Sequence, residues 1–130
     1  MSILKPISEN DASEKVKNVF EEIKVSKNVN VVPNFWRTIA NNSDTLECTW
    51  NSVQQVMKEG SLNSLFKELI YIAVSMTNSC EYCIRSHTKS AQTKGISDEM
   101  PNELIAVVAM ANETSRLVES YQVEVDENLK

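Results

Sequence analysis

The sequence predicts an all-α fold, and two observations carry that reading. Chain breakers are scarce: 130 residues hold two glycines and three prolines, too few for a turn-rich β sandwich or barrel. Apolar residues recur at helical spacing, and no segment sustains a period of two. The length and an apolar fraction of 42 % suit one compact multi-helix domain over residues 1–130 with a buried core.

The elements follow in order. Val16, Val19, Phe20 and Ile23 make one face of a first helix that begins after Asn10 and Asp11, with Ser13 a second candidate cap. The polar stretch of residues 26–30 reads as a loop. Pro33 suits the first turn of a short helix carrying Phe35, Trp36 and Ile39. Asn41 and Asn42 stop it, and Ser43 can cap a third helix with Leu46, Trp50, Val53 and Met57 on its face. Gly60 is the expected end of that helix. Asn63 or Ser64 can cap a fourth helix running to Thr77. Its apolar residues (Leu65, Phe66, Leu69, Ile70, Ile72, Ala73, Val74, Met76) cover more than one face, so it is expected to be central and buried. Asn78 and Ser79 break the pattern and cap a fifth helix that starts at Cys80 and ends at Gly95. Ser97, with Asp98 and Glu99 after it, starts a last helix bearing Leu104, Val107, Val108, Ala111, Leu117 and Val118. Trp36, Trp50, Phe66, Met57 and Met76 read as core. The charged ends, Glu21 with Glu22 and residues 124–130, read as solvated.

Composition excludes some function classes. The net charge of -5 and the lack of any basic run oppose nucleic-acid binding. No window approaches the apolar length of a membrane span, and the first six residues hold no signal-type apolar core. The expected location is the cytoplasm, where a close pair of cysteines is catalytic, redox-sensing or metal-binding rather than a structural staple.

The chemistry concentrates in Cys80-Glu81-Tyr82-Cys83-Ile84-Arg85-Ser86-His87, which holds two of three cysteines and the only histidine. On a helix, Cys80, Cys83 and His87 share one face. Thiols at this spacing can close a disulfide. A helix N-terminus offers free N–H groups and partial positive charge, both of which favour a thiolate. Attack of a thiolate on a peroxide gives a sulfenic acid, which a neighbouring thiol condenses to a disulfide. His87, one turn after Cys83, is placed to exchange a proton. Glu68 falls in the most apolar helix of the chain, where a charged residue needs a reason; facing the cysteines, it would accept a proton and orient His87. Two other readings stand beside redox use. One is a Cys₃His metal site from Cys48, Cys80, Cys83 and His87, although three ligands on one helix is not the usual geometry of structural zinc. The other is inert buried thiols. Cys48 by itself reads as a small buried hydrophobe.

Glu68, eleven residues, Cys80-x-x-Cys83, three residues, His87 resembles the core motif of the alkylhydroperoxidase D-like members of the carboxymuconolactone decarboxylase superfamily. The resemblance is strongest over residues 65–97 and includes Gly95-Ile96-Ser97; Pro33-Asn34-Phe35 and the order of helices add to it. It implies an all-α fold and a homo-oligomer, trimer or hexamer. It also implies a thiol peroxidase with peroxiredoxin activity in antioxidant defence, needing no metal, flavin or haem. By the match, Cys83 is the peroxidatic thiol, Cys80 resolves it and meets the external reductant, and His87 with Glu68 relays protons. The implied partners are a hydroperoxide and a dithiol reductant of lipoyl type on its protein carrier. The best-known members keep a histidine before the second cysteine, where this chain has Tyr82. A phenol, with a pKa near 10, does not shuttle protons at neutral pH as imidazole does. Two alternatives remain: a decarboxylase-like lyase using His87 and Glu68 alone, or a non-catalytic helical oligomer that senses redox state or holds zinc. The true decarboxylases typically lack the cysteine pair.

Overall fold

The computed structural model describes residues 2–130. Six α-helices and one short 3₁₀ turn, with no strand, make up the described residues: α1 Glu14–Lys27, α2 Asn34–Ile39, α3 Ser43–Met57, α4 Ser64–Thr77, α5 Glu81–Thr93, α6 Met100–Tyr121 and the turn Glu127–Leu129. The all-α expectation is borne out. The chain divides into two compact units, the first extending to Lys58 and the second spanning Glu59–Lys130.

The first unit holds a continuous hydrophobic core. Val16, Val19, Phe20 and Ile23 line one face of α1 and meet Val32, Trp36, Leu46 and Trp50, all buried. The spacing of those α1 residues turns one stripe inward, and the Ser13 hydroxyl accepts from the Val16 N–H to fix where the helix begins. The Trp36 and Trp50 rings pack edge to face, centroids 5.2 Å apart, the arrangement their quadrupoles favour. The Trp50 indole N–H donates to Glu22, so that glutamate is engaged rather than simply solvated.

Several local expectations are corrected. Asn42, not Ser43, caps α3, its side-chain oxygen accepting from the N–H groups of Asp44 and Thr45. An amide oxygen one residue earlier reaches both orphan donors. The third helix ends at Met57, with Lys58 leaving in extended conformation; the positive-φ glycine is Gly95, not Gly60. Cys48 lies exposed on α3 rather than buried. α6 begins at Met100 with Glu99 at the cap position, three residues later than Ser97.

In the second unit α4 packs against both α5 and α6. Asn63 caps α4 by accepting from the Phe66 N–H at 2.9 Å. The buried residues of α4 are Glu68, Ile72 and Ser75, a single stripe at i, i+4 and i+7. Phe66, Ile70 and Val74 are exposed, which corrects the expectation of a helix buried all round and of Phe66 as core. α6 buries none of its residues within the chain. No described helix is long and apolar enough to cross a membrane.

Candidate active site

The site is built where α4 ends and α5 begins. After Thr77 the chain turns through Asn78 and Ser79. Ser79 adopts left-handed backbone, φ 56°, at a cost of about 1 kcal/mol for a residue with a Cβ. The turn is pinned by the Cys80 N–H donating to the Ser75 carbonyl at 2.9 Å. Ser75 is buried, and its hydroxyl is satisfied by the Tyr71 carbonyl.

Cys80 itself occupies the cap position of α5, rather than lying inside its first turn behind a Ser79 cap. Its sulfur accepts from the Cys83 N–H at 3.3 Å. Cys80 and Cys83 are joined as a disulfide, Cα atoms 5.3 Å apart. Both residues are partly buried, so the pair is neither sealed in the core nor fully exposed. Free N–H groups at a helix start favour a thiolate over a thiol.

His87 follows Cys83 by one helical turn on the same face. Its Nδ1 lies 2.6 Å from Glu68 Oε2 across the α4–α5 contact. A carboxylate only accepts, so the pairing fixes Nδ1 as the protonated nitrogen and leaves Nε2 as the free basic position of the neutral ring. The other carboxylate oxygen, Oε1, accepts from Lys94 Nζ at 2.7 Å. Burial pushes the Glu68 carboxyl up. The hydrogen bonds from His87 and Lys94, with the lysine's charge, outweigh it and hold the carboxyl below the usual range. A buried glutamate is thus kept ionised by two partners. Tyr71 stacks on the imidazole with ring centroids 3.6 Å apart.

The structure therefore brings Cys80 to Cys83 and Glu68 to His87, and it places His87 on the cysteines' helix. Cys48 belongs to α3 in the first unit and takes no part in these contacts. Among the described residues no group of three or more His, Cys, Asp and Glu side chains stands in metal-holding geometry. Two members of the site were missed from sequence, Tyr71 and Lys94. Both carry a spacing signal: Tyr71 is three residues past Glu68, and Lys94 is seven past His87, each on the face already in use.

Comparison with known proteins agrees with this architecture. Residues 44–123 match the carboxymuconolactone decarboxylase family. The crystal structure of an alkylhydroperoxidase AhpD core from Rhodospirillum rubrum is similar to this chain with a TM-score of 0.93 and 38 % identity, covering 99 % of this chain and 97 % of that one. A Paracoccus denitrificans protein described as "Uncharacterized protein 4 in cox locus" is 37 % identical over 54 residues, which are 42 % of this chain and 49 % of that protein. That match spans about half the length of the curated relative. The chain belongs to the carboxymuconolactone decarboxylase family and is an alkylhydroperoxidase D-like member of it.

Proposed function

We propose that the protein is a thiol peroxidase that reduces hydroperoxides through Cys83 and Cys80. The observation that carries this reading is the disulfide at the start of α5, one turn from a histidine whose Nδ1 is held by a buried glutamate. In the reduced enzyme, His87 Nε2 takes the proton of the Cys83 thiol. The thiolate attacks the terminal peroxide oxygen, the O–O bond breaks, and His87 returns the proton to the leaving alkoxide, giving an alcohol and a Cys83 sulfenic acid. The Cys80 thiolate then attacks the Cys83 sulfur, expelling hydroxide that leaves as water after protonation. An external dithiol reduces the resulting disulfide by exchange and is itself oxidised, which balances the two electrons taken by the peroxide.

A dithiol of lipoyl type on a protein carrier fits the partly buried pair, because a long tethered arm reaches sulfurs that a folded protein surface does not. Residues 1–130 act as one domain in this reading, which the near-complete coverage by a single solved core supports. The apolar residues that α4 and α6 leave exposed, among them Ile70, Val74, Ile105 and Met110, support a homo-oligomer that covers them. The protein works in the cytoplasm, where such a pair is cycled by reductants.

The test is a peroxidase assay with a panel of reductants, dihydrolipoamide included, on the wild type, Cys83→Ser and Cys80→Ser. The wild type is expected to turn over. Cys83→Ser is expected to be inactive, and Cys80→Ser to stall with a sulfenic acid that a dimedone probe labels. Full turnover by Cys83→Ser would refute the assignment. The family match favours one rival, a lyase acting through His87 and Glu68; its activity would survive alkylation of both thiols.

A further inference from the structure

The two oxygens of Glu68 go to different cations. Oε2 meets His87 Nδ1 at 2.6 Å, and Oε1 meets Lys94 Nζ at 2.7 Å. Lys94 is placed for this by the end of its helix. Its backbone N–H bonds back to the Ser90 and Ala91 carbonyls, and Gly95, at φ +87°, turns the chain away. His87, Ala91 and Lys94 follow one another along a single face of α5. Ala91, fully buried between them, has no side chain long enough to stand between the lysine and the carboxylate.

A buried carboxylate paired with an imidazole alone draws a second proton onto the ring, because the ion pair satisfies both. A doubly protonated imidazole has no lone pair left with which to accept a proton from a thiol. Lys94 changes that balance. It already neutralises Glu68, so a proton added to His87 would leave the trio with a net positive charge in a poorly solvated place.

We propose that Lys94 is a positioning residue that, by sharing the Glu68 carboxylate, keeps His87 neutral with its proton on Nδ1 and its Nε2 free to act as a base. It acts through Glu68 and touches neither sulfur nor substrate. The use made of the free Nε2 rests on the peroxidase reading; the control of His87 protonation does not.

Among the described residues, the side chains in contact with His87 include one carboxylate and one phenol. Glu68 and Tyr71 reach it from α4. On its own helix are Lys94, acting through Glu68, and Cys83, which does not titrate while bonded to Cys80. α6 packs against α4, and one hydrogen bond between them, Asn112 to Thr77, is uncharged.

His87 is the only histidine in the chain, so its ring Cε1–H gives a single NMR signal. The experiment follows that signal against pH in the oxidised full-length wild type, Lys94→Met and Lys94→Arg. Circular dichroism on each shows that the fold is kept, as expected for a side chain with its head near the surface. Lys94→Met is expected to raise the affinity of His87 for a proton about tenfold, moving the transition to higher pH. Lys94→Arg, which keeps the charge, is expected to titrate like the wild type. A Lys94→Met signal that titrates with the wild type, or a Lys94→Arg signal displaced as far as Lys94→Met, would overturn the proposal. The acid limb of the peroxidase pH profile is expected to move the same way. A wild type without turnover would defeat the functional reading while leaving the NMR result decisive for Lys94.

Discussion

Tyr71 lies nearly flat on His87, with ring centroids 3.6 Å apart and planes inclined by 21°. One face of the imidazole is thereby covered, and the ring is held in the plane that points Nδ1 at Glu68. An aromatic pair of this kind contributes about 0.5–1.5 kcal/mol beyond the area it buries. Tyr71→Phe keeps the stack and is expected to retain activity. Tyr71→Ala frees the ring to rotate and is expected to lower kcat on the order of tenfold with a smaller change in KM. Steady-state kinetics on the pair of variants separates the role of the stack from that of the hydroxyl.

Glu68 ties the fold to the site. Its carboxyl is held below the usual range by His87 and Lys94 against the opposing effect of burial. The stability it contributes is therefore fully present above the unfolded-state carboxylate value, about 4.3, and is lost as pH falls through the lower folded value. Glu68→Gln is expected to cost roughly 1–3 kcal/mol at pH 7. Lys94, with its head near the surface, can retreat to water and limit the loss. Urea unfolding at pH 7 and again below pH 4 checks this: the gap between wild type and variant should narrow in acid. A gap that widens would reverse the assignment.

Tyr82 stands between the cysteines on the exposed side of α5. If proton delivery at that position limits the rate, Tyr82→His should raise turnover, by up to about 100-fold, the lower end of a general acid–base contribution. An unchanged rate would show that the Glu68–His87 pair already suffices.

The first unit offers a plain test of packing. Leu46 is fully buried among α1 and α2 residues, and Leu46→Ala is expected to destabilise by about 2–5 kcal/mol. Asn63→Ala, which removes the α4 cap, is expected to cost about 1 kcal/mol. Thermal unfolding ranks the two, and the larger loss should belong to Leu46.

Helices were legible because their apolar stripes are one-dimensional patterns: Val16, Val19, Phe20 and Ile23 name the buried face of α1 directly. Helix starts were less so. Asn42 and Ser43 are both good caps, and only the backbone angles decide which side-chain oxygen meets the free N–H groups. Phe66 and Cys48 were misplaced because hydrophobicity says what a side chain favours, not whether this chain supplies a cover for it. In the site, the Cys-x-x-Cys-x-x-x-His run was legible because it is local. Glu68 was singled out because an ionised group in an apolar helix needs a partner. Lys94 was not, since a lysine ahead of a glycine at a helix end is ordinary in sequence, and its reach to Glu68 exists only once α4 and α5 are packed.

Cys48 gives the protein a built-in reference for its own oxidation state. It is exposed and unpaired, while Cys80 and Cys83 are joined. A thiol-counting reagent applied to the unfolded chain should find one reactive group in the oxidised protein and three in the reduced protein, the full complement of cysteines. In Cys48→Ser the count becomes zero or two, so the redox state of the Cys80–Cys83 pair can be read on the protein alone.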